Sequence, residues 1–183
     1  MKVKLANVRL AFPALFEAKT VNGEGAPAYG ASFLIELTDK PNLAAINKAI
    51  DAVALEKWGP KATAHLALMR KTDKVALHDG DLKSQYAGFA GMMFVSSRSA
   101  ARPLVLDKDK TPLTAQDGRP YGGCYVNATV ELWAQDNKYG KRVNAQLLGV
   151  QFFADGDSFG GGAVGSADDF DDLAVGAEED ALV

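Results

Sequence analysis

Residues 121–134 read YGGCYVNATVELWA, and their alternation decides the fold. The even positions Cys124, Val126, Ala128, Val130, Leu132 and Ala134 are apolar. The odd ones, Tyr121, Gly123, Tyr125, Asn127, Thr129, Glu131 and Trp133, are small, polar or aromatic. Successive side chains of an extended strand point to opposite faces, so a repeat of two puts a core on one side and a decorated surface on the other. Downstream, Asp136 to Lys141 reads as a turn. Arg142 to Phe153 then returns as a partner strand whose pattern slips at Leu147 and Leu148 beside Gly149. The pair predicts a long, bent hairpin that closes a sheet.

Upstream, Lys2, Val3, Lys4 and Leu5 alternate, but Val8 and Leu10 fall on the opposite parity, which predicts a bulge near Ala6 or Asn7. Pro13 is expected to end this strand, and Gly23, Gly25 and Pro27 to form a loop. Tyr29 to Leu37 forms the second strand, with Tyr29, Ala31, Phe33, Ile35 and Leu37 on one face. Asp39 and Pro41 signal a helix start, and Leu43, Ile46, Ile50, Val53 and Trp58 recur at helical spacing until Gly59 and Pro60. Residues 61–85 lack clear periodicity and are assigned short strands or loop. Phe89 to Ser96 and Leu104 to Leu106 complete the strands, and Asp117-Gly118 turns the chain into the decisive segment. The outcome is a mainly β chain with one packed helix, with no repeat of 20 to 50 residues to suggest a solenoid or propeller.

The 183 residues carry a formal charge of −3, which hides two opposed parts. Residues 1–154 hold all 20 Lys and Arg against 14 Asp and Glu, a surplus of six positive charges; residues 155–183 hold nine acids and no base. Glycine, alanine, serine and acid dominate beyond Asp157, too little apolar surface to offset the entropy of ordering. The expected division is a domain over 1–157 and a disordered acidic tail over 158–183. One cysteine and two histidines cannot build a disulfide framework or a Cys/His zinc site, and no apolar run approaches the roughly 18 residues of a membrane span. No signal peptide is read at the N-terminus, and a reducing cytoplasm fits.

A basic body with rings on a strand face suits an unpaired nucleic-acid strand, whose phosphates need cations and whose bases stack on flat side chains. The stacking candidates are Tyr121, Tyr125, Trp133 and Tyr139. The phosphate candidates are Lys4, Arg9, Arg98, Arg102, Lys138, Lys141 and Arg142. The competing reading of any one ring is that it covers a barrel edge or packs under a loop, and of any one base that it is a solvated charge. Six phosphate contacts would give a slope of about −4 in log affinity against log salt. In the tail, Asp168, Asp169, Asp171, Asp172, Glu178, Glu179, Asp180, Leu182 and Val183 form an acidic and apolar peptide suited to docking a partner enzyme, or simply a solubilising tail. Tethered near a basic groove, it would also compete with DNA.

Catalytic motifs are missing: no Gly-x-x-x-x-Gly-Lys-Ser/Thr loop, no Gly-x-Ser-x-Gly elbow and no cysteine with a base beside it. Asp79 and Asp81 flank Gly80 as a pair of nuclease carboxylates sharing an ion would, but Asp-Gly-Asp suits a plain turn. His65 and His78 read as ordinary polar residues. No catalytic residue, metal or cofactor is expected.

Six segments taken together carry a family resemblance: RLAFPALFEA from Arg9, YGASFLIEL from Tyr29, AINKAIDAVALEKWG from Ala45, LHDGD from Leu77, PYGGCYVNATVELWA from Pro120 and KRVNAQLLGVQFFADGD from Lys141. Across roughly residues 5–160 the chain resembles phage-encoded single-stranded DNA-binding proteins with an OB-fold and an acidic tail. The resemblance implies a closed, OB-like five-stranded β-barrel and a protein that coats and protects single strands, whatever their sequence, in replication, recombination or repair. The implied partners are single-stranded DNA and replication or recombination enzymes met through the tail, in the host cytoplasm, with a homodimer left open. This tail ends in Leu182-Val183 where several such proteins end in phenylalanine. The alternative is a non-enzymatic phage structural or scaffold protein that uses its barrel for protein contacts.

Overall fold

The computed structural model of the protein describes residues 1–21, 23–159 and 173. Seven strands form its sheet: β1 (Lys2–Val21), β2 (Glu24–Glu36), β3 (Leu77–Asp79), β4 (Met92–Ser99), β5 (Leu104–Leu106), β6 (Tyr125–Asn137) and β7 (Gly140–Ala154). Their order is β3-β4-β2-β1-β6-β7-β5, and β4 also pairs with β7 in parallel, Arg98 opposite Gln146. That pairing closes β1, β2, β4, β7 and β6 into a five-stranded barrel, with β3 and β5 as short flanks. The fold is therefore the mainly β, OB-like barrel that the sequence implied. Of the expected disordered tail, only Ser158, Phe159 and Leu173 are among the described residues.

The interior is filled by the alternating positions. Leu5, Leu10, Phe33, Ile35, Val95, Val126, Val130, Leu132 and Leu147 are almost wholly buried there. Helix α1 (Lys40–Trp58) begins where Asp39 accepts a hydrogen bond from the Asn42 amide, and buries Ile46, Ile50 and Val53 in the same core. The bulge falls as expected: register shifts between Leu5 and Val8, and Asn7 adopts φ 52°. The buried Asn42 side chain accepts from the Ala6 amide (3.0 Å) and donates to the Ala6 carbonyl (2.8 Å), replacing the ladder bonds that the bulge breaks. The slip in β7 is likewise real, between Gly149 and Leu147 opposite Thr129 and Val130.

Several local expectations change. Gly25 and Pro27, expected in a loop, lie within β2, and Phe89, expected to open a strand, sits in the turn before β4. Pro13 does not end β1, which runs on to Val21, because a second irregularity between Ala11 and Ala14 takes the proline out of the ladder. Residues 62–71, expected as strand or loop, form helix α2 (Ala62–Lys71). Its buried stripe is only Ala62, Leu66 and Met69, while Leu68 faces out, too narrow a pattern to read as a helix. Tyr121 to Cys124 precede β6 as a turn after a cis Arg119–Pro120 bond, so the decisive strand begins at Tyr125.

Candidate nucleic-acid interface

The outer face of β1, β2 and β4 is only half covered. The turn after β3 lays Phe89 over Ala11, Leu34 and Phe94, forming a small second core to which Met92 and Phe159 add. The rest stays open, since Ala14, Ala28, Gly30, Ser32 and Ser96 have little side chain to fill it. Three hollows of about 370, 480 and 350 Å³ follow one another there, each within the size range of small-ligand sites. The first lies among Phe12, Pro13, Tyr86, Phe89, Tyr121 and Phe159. It shares Phe12 and Pro13 with the second, which adds Lys19 and Tyr29. The second shares Ser96 and Arg98 with the third, lined by His78, Trp133, Arg142 and Asn144. The three adjoining hollows make one groove lined from six strands, with rings at both ends and cations between.

Of the sequence candidates, Arg98, Trp133 and Arg142 meet at one end of this groove. Trp133 stands 46% exposed there. Cross-strand register accounts for the meeting: Trp133 opposes Asn144 and Gln135 opposes Arg142 on the outer side of the hairpin, while Arg98 arrives from β4 through its pairing with Gln146. Tyr121 lines the other end. Its hydroxyl donates to Asp155 Oδ1 (2.8 Å) and accepts from the Gly156 amide (3.2 Å). Burial and the neighbouring carboxylate push its pKa up, and it holds the chain after β7 against the turn before β6.

The other candidates do not line these three hollows. Tyr125, eight residues or about 26 Å of strand from Trp133, sits 5.8 Å from the Arg9 guanidinium beside a separate hollow at the β1 bulge. Arg9 donates from Nε to the Gly123 carbonyl and from Nη2 to the Asp157 carbonyl, and Arg102 donates to the Phe16 carbonyl. Lys4 lies on β1 opposite Thr129. Tyr139 is 73% exposed at the β6–β7 turn with the Lys138 ammonium 5.1 Å over its ring. Lys141 pairs with Asp136 at 3.7 Å, and Asp136 also accepts from Trp58 Nε1 (2.9 Å). These two partners, the indole bond foremost, hold the Asp136 carboxyl below its ordinary value. The tail candidates Asp168, Asp169, Asp171, Asp172, Glu178, Glu179, Asp180, Leu182 and Val183 lie outside the described residues.

Sequence reading passed over Phe12, Tyr29, Tyr86 and Lys19 as groove residues. Phe12 is 55% exposed, with its backbone at φ 48° and its ring edge-on to Tyr86 at 4.9 Å. Asp79 and Asp81, weighed as a metal pair, accept the backbone amides of Asp81 and Gly91 and so shape a turn.

A closed five-stranded barrel with a ring-and-cation groove across its outer face is a protein of the OB class, whose members hold nucleic-acid strands and other extended ligands. Residues 1–182 match the family model described as the single-stranded DNA-binding protein of Enterobacter phage Enc34, and the chain belongs to that family of phage single-stranded DNA-binding proteins. The chain is also 50% identical, over 100% of its length and 99% of the relative's, to protein p50 of Acyrthosiphon pisum secondary endosymbiont phage 1. Among solved structures it resembles the Enc34 protein in complex with single-stranded DNA, at 30% identity and a TM-score of 0.66 over 87% of this chain and 89% of that one. It shares its fold with gp2.5, the single-stranded DNA-binding protein of bacteriophage T7, at 12% identity and a TM-score of 0.56 over 91% and 97%.

Proposed function

We propose that the protein binds single-stranded DNA without regard to sequence, coating and protecting it during phage DNA replication, recombination or repair. The continuous groove from Phe12 to Trp133 carries this reading. Rings give every base a face to stack on, and Lys19, Arg98 and Arg142 follow the backbone without reading base edges. A relative solved with single-stranded DNA supports the choice of ligand. The acidic C-terminal segment competes with the strand for the groove and is freed to recruit replication or recombination enzymes when DNA arrives. The protein performs no chemistry on its ligand.

Fluorescence anisotropy with labelled oligo-dT tests this on the full chain and on a chain cut after Phe159, which loses seven acids. Saturable binding that weakens with salt, and is tighter after the cut, is the expected result. No binding by either form would leave the barrel to protein contacts, as in a structural or scaffold protein.

A further inference from the structure

The chain that follows β7 turns back onto the barrel and seats Phe159 in a confined slot. The Arg9 guanidinium stands 4.2 Å from the centre of the Phe159 ring. Its orientation is fixed by its bonds to Gly123 O (3.0 Å) and Asp157 O (2.8 Å). The far end of the ring abuts Gly88, where the backbone has φ +86° and an added Cβ would come within 2.5 Å of the ring. The Phe159 amide donates to the Gly122 carbonyl (2.9 Å), securing the backbone. The slot thus admits one flat ring under a cation, and it opens directly into the ring-lined hollow of Phe12, Tyr86 and Tyr121.

A guanidinium held over a planar ring, beside further rings at the end of a groove, is an arrangement that suits an unpaired base. Its present occupant is the residue from which the acidic segment departs. We propose that the slot between Arg9 and Gly88 is a nucleobase subsite, and that Phe159 holds it in the DNA-free protein, so that a bound strand and the root of the acidic segment exclude each other. This rests on single-stranded DNA being the ligand of the groove. The exclusion is ring for ring, so unlike competition by the distant acids it is independent of salt.

Full-length wild type and Phe159→Ala, which keeps every charge, are titrated with labelled oligo-dT at low and high salt. A site occupied by its own chain lowers apparent affinity by the fraction of time it is free. The variant is therefore expected to bind about three- to tenfold tighter, by the same factor at both salts. Equal affinity, or a gain that vanishes at high salt, overturns the proposal. As a check that needs no variant, chymotrypsin cleavage after Phe159 in the wild type is expected to accelerate when oligo-dT saturates the protein. Cleavage unchanged or slowed at saturation overturns it. If the wild type fails to bind oligo-dT at all, the ligand reading falls and takes the subsite with it.

Discussion

Stacking and charge separate cleanly at the level of single side chains. Trp133 offers an exposed ring at the groove end, so Trp133→Ala is expected to weaken oligo-dT binding by about 1–3 kcal/mol while leaving the salt slope unchanged. Arg98 lies where two hollows meet, and Arg98→Ala is expected to flatten that slope by about 0.7. Titrations of both variants across salt concentrations distinguish the two effects. Tyr139 and Lys141 beyond the groove end, and Lys4 on β1, are expected to matter less. With Lys19, Arg98 and Arg142 as the groove cations, the wild-type slope is expected near −2, shallower than the −4 that six contacts would give.

At the level of elements, Asn42 couples the start of α1 to the β1 bulge, serving both the amide and the carbonyl of Ala6. Asn42→Ala strands both groups and is expected to cost about 1–3 kcal/mol in urea unfolding. Asp107, just after β5, accepts from Arg119 at 2.6 Å, and this bond above all holds its carboxyl below the ordinary value of 3.8. A carboxyl depressed in the folded state stabilises the fold above its ordinary value, and that contribution is lost as pH falls through the lowered one. Asp107→Asn should therefore reduce the wild type's loss of stability below about pH 4, read from denaturation midpoints across pH. The bulge, α1 and the slip in β7 were all legible in the sequence, because a parity change or a cap has a local cause. The run of β1 past Pro13 was not, since only the pairing with β2 shows where the ladder skips the proline. Nor was α2, whose three buried residues become a stripe only against a core already in place. The groove was half legible: Trp133, Arg98 and Arg142 were named, but their meeting depends on closure between β4 and β7, and Phe12 on a left-handed backbone that no pattern announces.

Across the whole molecule, charge is divided along the chain, a surplus of six positive charges in residues 1–154 and nine acids after them. The barrel sets the cations Lys19, Arg98 and Arg142 along one groove, and Arg9 clasps Phe159 beside its ring-lined end. Closure by β4 and β7 removes the sheet edges of the barrel itself and makes its outer face one surface, the proposed path of a DNA strand. The path of that strand is tested most directly by photocross-linking the full-length protein to oligonucleotides carrying 5-iododeoxyuridine and mapping the adducts by mass spectrometry. Adducts on Phe12, Tyr29 and Trp133 are the predicted result. Adducts confined to α1, α2 or the Lys4 side of the barrel, with none along the groove, would contradict it.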